Sequence, residues 1–179
     1  MAASVAARAR KIRLLLMDVD GVLTDGRIYL LSRPDGTALD MKAFSAYDGA
    51  GLKLARVAGL RTGLITGRES AATSRRAREL DMEFVYQGIA EKIVTFRKLV
   101  QRAGVEESEI AYVGDDLPDL PILETVGLAV AVANAVPEVK RQAHYVTRAA
   151  GGNGAVREVV ELILKAQGKW AALARAALA

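Results

Sequence analysis

Ile12–Asp25, IRLLLMDVDGVLTD, is the stretch whose reading decides the fold. Its first half, Ile12–Met17, is an apolar run of strand length, as expected of a strand buried on both faces of a parallel sheet. It stops abruptly at acids: Asp18 and Asp20, with Asp25 close behind. Two carboxylates two residues apart at the end of such a strand lie at the carboxyl edge of the sheet, where open α/β sheets bind ligands. Three acids so near one another repel, and folding alone gives no reason to gather them. A divalent cation resolves the conflict. Gly21 lets the chain turn away at once.

Outward from this stretch, strand-like runs alternate with helical periodicity, the pattern of a mostly parallel sheet covered by helices. Strands are expected at Leu60–Ile65, Phe84–Tyr86, Ile110–Val113, Leu128–Val132 and, briefly, Tyr145–Val146. Helices are expected over Ala50–Ala58, about Ser70–Leu80, Ile89–Ala103, Leu120–Val126 and Ala155–Gln167, the last with Val156, Val159, Val160, Ile163 and Leu164 on one face. Between the first strand and first helix, Gly26–Phe44 carries Ile28–Leu31, the turn-prone Pro34-Asp35-Gly36 and Ala38–Phe44, which predicts a β-hairpin beside the active edge. It is too small for a separate cap domain. The fold class is α/β, a Rossmann-like three-layer sandwich with a small hairpin insert and no large cap. The expected organisation is a basic N-terminal extension (1–11), one catalytic domain (12–168) and an Ala-rich tail (169–179).

Composition narrows the chemistry. The 179 residues suit a single domain. No apolar run approaches bilayer length, so no membrane insertion is expected; the basic N-terminus lacks the apolar stretch of a signal peptide, which points to the cytoplasm. With no Cys and a single His, His144, thiolate sites, His-based zinc sites and a Ser-His-Asp triad are disfavoured. A net charge of +4 with 5% aromatics fits solvated helix faces better than a nucleic-acid surface, which wants cations interleaved with stacking rings. Carboxylates, Lys, Arg, Ser and Thr remain, working with a hard metal.

A second acid cluster, Gly114-Asp115-Asp116 with Asp119, follows the strand Ile110–Val113. Asp116 or Asp119 alone could simply cap the helix beginning near Pro118. Two clusters at the ends of two parallel strands, however, converge on one oxygen-rich site suited to Mg²⁺. Thr66-Gly67-Arg68 after the strand Leu60–Ile65 offers a hydroxyl and backbone N–H groups near a helix N-terminus, an anion-binding arrangement. Taken alone it is an ordinary turn. Lys92, early in the following helix, is placed to neutralise phosphate charge, although a helix lysine is usually a solvated surface residue.

The order DVDGVLTD, ITGR, a lysine and GDDLPD resembles the four motifs of the haloacid dehalogenase (HAD) superfamily across Asp18–Asp119. DGVLTDGRIYL, DGAGLKL, YQGIAEK, YVGDDLPDLPIL and GGNGAVREVVELILKAQGKW further resemble its small, capless phosphatases of 3-deoxy-D-manno-octulosonate 8-phosphate (KDO 8-phosphate), which serve lipopolysaccharide synthesis. The resemblance implies Asp18 as nucleophile and Mg²⁺ ligand. It implies Asp20 as the acid and then base, touching the substrate and giving its carbonyl to the metal. Asp115 becomes the third metal ligand, and Asp116 and Asp119 support the shell. Thr66, Gly67 and Lys92 hold the phosphate. Tyr47, Asp48, Gly49 and Gly51, in the family's DGxG loop, face the substrate together with Arg68. A homotetramer is implied, with Gly151–Gly154 reaching towards a neighbouring subunit's site.

Two positions depart from the family pattern. Tyr47 stands where a basic residue is usual, and Asn153 where Arg often sits. Both touch the substrate side of the expectation and leave the acids intact. The same chemistry on a nine-carbon keto-acid 9-phosphate is one alternative. A catalytically silent domain associated with nucleotidyl-sugar synthesis is another, against which the intact Asp18 and Asp20 argue.

Overall fold

Leu14–Met17 form strand β1, and all four residues are buried because a strand lies on each side and helices cover both faces. The computed structural model describes residues 4–176. Before β1 comes helix α1 (Val5–Arg10), and after it the hairpin strands β2 (Tyr29–Ser32) and β3 (Ala38–Met41). Helix α2 (Ala46–Val57), β4 (Arg61–Ile65), α3 (Ala71–Glu79), β5 (Phe84–Tyr86) and α4 (Lys92–Ala103) follow. Then come β6 (Ile110–Gly114), α5 (Leu120–Leu123), β7 (Leu128–Ala131), α6 (Pro137–Gln142), β8 (Tyr145–Val146), α7 (Ala155–Ala166) and α8 (Trp170–Ala176). The expected tail thus begins as a short helix; residues 1–3 and 177–179 of the two termini lie outside the described residues.

The main sheet runs β5-β4-β1-β6-β7-β8, parallel throughout, and β2 and β3 pair antiparallel apart from it. The chain builds outward from β1 to β5 on one side and then crosses to β6 on the other. β1 and β6 therefore flank the switch point, and the crevice beyond their carboxyl ends is the expected ligand site. Met17 pairs with Val113 in register, so the acids that follow each strand emerge side by side.

Helix α7 packs against α1 and α2 in one layer, and α5 contacts α4 and α6 in the other. Helix α7 buries Val156, Val159, Val160, Ile163 and Leu164, the face its periodicity predicts. The core is continuous across both layers, with Phe96, Leu99, Tyr112 and Ile163 fully buried. His144 is a packing residue: its Nδ1 accepts from the Ala129 N–H at 2.9 Å, while its own N–H donates back to the Ala129 carbonyl at 2.9 Å.

Three elements differ from the sequence reading. The helix expected over Leu120–Val126 is a 3-10 turn at Leu117–Asp119 running into a one-turn α5. Pro118 and Pro121 fall in those first turns, where a missing N–H is harmless and which they cannot extend backwards. Helix α6 was not foreseen, since its six residues bury only Val139. Helix α1 lies within the expected basic extension, yet Ala9 is fully buried in the core and the Arg8 guanidinium donates to the Gly127 carbonyl at 2.8 Å.

Candidate active site

Asp18 extends β1 by one residue, its N–H donating to the Val113 carbonyl at 3.0 Å, and its side chain is buried. Lys92 opens α4 and is buried as well. Its ammonium lies 2.9 Å from Asp18 Oδ2 and 2.8 Å from Asp119 Oδ1. Asp119 Oδ1 also accepts the Tyr112 hydroxyl at 2.8 Å, and Oδ2 accepts the N–H groups of Asp115 and Asp116 at 3.0 and 3.4 Å. Asp119 is therefore a saturated anchor that fixes Lys92 and the loop carrying Asp115. Glycine is required beside it: a Cβ on Gly114 would fall 2.6 Å from the Asp119 Cβ.

Carboxylate oxygens of Asp18, Asp115 and Asp119 lie within 4.8 Å of one another. Asp119 is committed to its four donors, whereas Asp18 Oδ1 and Asp115 Oδ1 are buried without a hydrogen-bond partner. Orphaned buried acceptors of this kind carry a full desolvation cost unless something binds them. Two hard oxygens facing a common space, with no nitrogen or sulfur donor, fit Mg²⁺. Gly21 makes the approach possible. At φ +93° it has no Cβ, and one placed there would be 2.0 Å from Asp115 Oδ2.

The electrostatics agree with an oxygen-bound cation. Burial pushes the Asp18 carboxyl up to about 6, against the opposing charge of Lys92. Burial, then the charges of Asp18 and Asp119, push Asp115 up to about 8. Burial pulls Lys92 down, but the charges of Asp18 and Asp119 outweigh it and hold the ammonium above its ordinary range. Without metal, the folded state thus binds protons at Asp18 and Asp115 that an unfolded chain, titrating near 3.8, has released. Stability of the metal-free protein is expected to fall as pH rises from about 4 through about 8, because the native state holds the extra protons. Added Mg²⁺ is expected to raise the melting temperature more at about pH 8 than at about pH 5, since only the ionised carboxylates bind it. Thermal-shift curves with Mg²⁺ and with a chelator at both pH values check this; a larger Mg²⁺ gain at the acidic pH contradicts it.

Asp18 and Asp115 open into a cavity of about 460 Å³ also lined by Asp20, Thr66, Arg68 and Lys92. Thr66 sits buried at the end of β4, its N–H donating to the Tyr86 carbonyl at 3.0 Å. Gly67 lines the same cavity. Arg68 Nε is 3.6 Å from Asp20 Oδ2, and its half-exposed fork is open to the space above. Asp116 reaches the rim and also caps the following turn, its Oδ1 accepting from the Leu117 N–H at 2.8 Å. Asp25, the third acid of the opening stretch, instead turns out beside Arg27, 3.4 Å away.

The DGxG residues are brought elsewhere. Asp48 is buried and accepts the N–H groups of Arg157 at 2.8 Å and Gly154 at 3.2 Å. Gly154, at the N-cap of α7, has no side chain to cap the helix, so Asp48 supplies the missing acceptor from α2. Cβ atoms on Gly49 and Gly51 would lie 2.2 Å from an Arg76 nitrogen and 2.8 Å from Arg157 Cδ. These three residues close the seam between helices and do not line the cavity. Tyr47 is 72% exposed on the first turn of α2, also outside it.

Gly151–Gly154 packs on its own chain: Gly152 N–H donates to the Val22 carbonyl at 2.9 Å. Asn134 bridges the same two segments, donating to the Gly21 carbonyl at 2.9 Å and accepting from the Gly151 N–H at 2.6 Å. A Cβ on Gly151 would meet the Gly21 carbonyl oxygen at 1.8 Å. The tail braces the turn that follows Asp20.

Lys42 was missed. Its ammonium is hydrogen-bonded to Asp20 Oδ1. Only its isolation hinted at a role, as the one cation between Arg33 and Lys53.

A parallel sheet whose switch point presents a buried aspartate, a partnering lysine and a second acid loop defines a phosphohydrolase of the haloacid dehalogenase-like class. A family model of the haloacid dehalogenase-like hydrolases matches residues 81–159, the part that holds Lys92 and Asp115–Asp119. The 3-deoxy-D-manno-octulosonate 8-phosphate phosphatase of Escherichia coli is 45% identical over 94% of this chain and 88% of its own. A crystal structure of the Yersinia pestis phosphatase of that name superposes with a TM-score of 0.88 at 44% identity, covering 94% of this chain and 89% of its own. The Moraxella catarrhalis phosphatase of that name, solved with magnesium, phosphate and KDO, gives a TM-score of 0.90 at 41% identity over 96% and 97% of the two chains. The chain belongs to the 3-deoxy-D-manno-octulosonate 8-phosphate phosphatase family of the haloacid dehalogenase-like hydrolases. Among the described residues no helix is long and apolar enough to cross a membrane.

Proposed function

We propose that this protein hydrolyses KDO 8-phosphate to KDO and inorganic phosphate in the presence of Mg²⁺, through an aspartyl-phosphate on Asp18. The observation that carries this reading is the pair of orphaned oxygens on Asp18 and Asp115 beside the buried Lys92. Lys92 holds Asp18 Oδ2 and orients the carboxylate towards the cavity for attack on phosphorus. Asp20 gives its proton to the sugar oxygen as the P–O bond breaks, and then takes one from the water that attacks the acyl phosphate. Thr66 and the adjoining backbone bind the phosphate oxygens, and Lys92 offsets their charge. Asp18, Asp115 and the Asp20 carbonyl would hold Mg²⁺, which would supply further charge neutralisation for the transferring phosphoryl group.

The substrate's carboxylate needs a donor of its own, and the fork of Arg68 suits it because a guanidinium binds carboxylates bidentately. Arg68→Ala is expected to raise KM for KDO 8-phosphate about tenfold or more with a smaller fall in kcat, the pattern of lost uniform binding. Steady-state phosphate release over a panel of sugar phosphates checks it. A wild-type preference for neutral sugar phosphates removes the sugar-acid assignment and leaves the phosphatase.

The reading carries with it a cytoplasmic homotetramer. Its support is the hairpin, where the cross-strand pairs Tyr29–Met41 and Leu31–Leu39 place exposed apolar side chains on one face, with Leu30 exposed on the other. An apolar face of this kind on an unpaired two-stranded ribbon calls for a partner. The double substitution Leu30→Glu, Leu31→Glu is expected to yield a folded monomer, read by light scattering and circular dichroism. A wild-type monomer contradicts the proposal.

A further inference from the structure

We infer that Lys42 is a positioning residue for this reaction, holding one oxygen of Asp20 so that the other, Oδ2, is the atom that moves the proton. The inference rests on the reading of Asp20 as acid and base. Lys42 follows β3 directly, at the foot of a mostly exposed hairpin, yet its side chain is only 3% exposed. An ordinary surface ion pair stays solvated and contributes little. Lys42 instead buries its length to bring its ammonium onto Asp20 Oδ1.

Hydrogen-bond chemistry then separates the two oxygens. An ammonium carries three donors and no acceptor, so Oδ1 can only accept from it. A proton on Asp20 therefore sits on Oδ2. That oxygen is buried and has no hydrogen-bond partner. Arg68 Nε, the cation facing it, is 3.6 Å away, beyond a normal hydrogen bond. Oδ2 is left for a partner that arrives with the substrate, the bridging oxygen in the first step and water in the second. The hairpin thus reaches the chemistry through this one side chain.

A well-placed acid matters greatly when the leaving group is a sugar or alkyl alkoxide and little when it is a stable phenolate. The test compares kcat/KM on KDO 8-phosphate, glycerol 3-phosphate and p-nitrophenyl phosphate for the wild type, Lys42→Met, Lys42→Arg and Asp20→Asn. Lys42→Met is expected to lose roughly 10- to 100-fold on both alkyl esters and less than about threefold on the aryl ester, with Lys42→Arg recovering most of the loss. Retained aryl phosphatase activity shows that the variant folds. Equal losses on all three esters, a loss on KDO 8-phosphate alone, or no loss on any of them overturns the inference. If Asp20→Asn lacks the leaving-group pattern, the acid reading itself falls; if Asp20→Asn has it and Lys42→Met does not, only the role of Lys42 falls.

Discussion

Asp18→Asn is expected to lower kcat by a factor on the order of 10⁴ or more, which corresponds to about 5 kcal/mol of barrier. An amide oxygen is a poor nucleophile towards phosphorus, and the amide nitrogen would meet the Lys92 ammonium 2.9 Å from the present Oδ2, donor against donor, unless the group flips. The fold should survive. Burial already raises the Asp18 carboxyl to about 6, so its charge is a cost to the metal-free native state, and a neutral amide removes it. The expected result is an inactive variant whose melting temperature in chelator is at least that of the wild type near pH 8. Activity within about tenfold of the wild type, with deamidation excluded by mass, would leave the proposed chemistry without its nucleophile.

Asp119→Ala is expected to damage both stability and turnover, through a side chain that the proposed reaction never touches. Its two oxygens serve Lys92, Tyr112 and two backbone N–H groups. Removing them strands the buried Tyr112 hydroxyl and leaves Lys92 with Asp18 as its remaining carboxylate partner. Breaking a buried, hydrogen-bonded ion pair on one side costs about 3–5 kcal/mol. The competing effect is relief of repulsion among Asp18, Asp115 and Asp119, which is why the measurement belongs in saturating Mg²⁺, where that repulsion is already offset. Urea unfolding should show a loss of about 3 kcal/mol or more, with kcat down at least about 100-fold as the loop of Asp115 loses its anchor. A loss below about 1 kcal/mol would show that the network is not what holds the site.

The catalytic edge was legible because it is local. Asp18 and Asp20 announce themselves by following an apolar strand, and Asp115–Asp119 do the same after β6. What the sequence could not carry was partnership across distance. Asp48 lies in a loop motif that suggests ligand contact, yet it caps α7 more than a hundred positions away, a pairing no local pattern encodes. The glycines at 49, 51 and 151 are spent on close helix and loop approaches, which look in sequence like a flexible substrate loop. Lys42 is one lysine just past a hairpin, and only folding brings its ammonium to Asp20. The turn at Leu117–Asp119 was legible only as a helix start near Pro118, and its 3-10 geometry was not.

The central claim, covalent catalysis at Asp18, is tested most directly by trapping the phosphorylated enzyme. Wild type and Asp20→Asn are mixed with KDO 8-phosphate and Mg²⁺, quenched in acid on the millisecond scale, treated with borohydride and digested for peptide mass spectrometry. The account predicts phosphate on the protein at early times and homoserine at position 18 after reduction, with more trapped species in Asp20→Asn when p-nitrophenyl phosphate replaces KDO 8-phosphate, since the phenolate leaves without an acid while the second step lacks a base. Phosphate release at full rate with no modified Asp18 at any time, or modification at another residue, would contradict it.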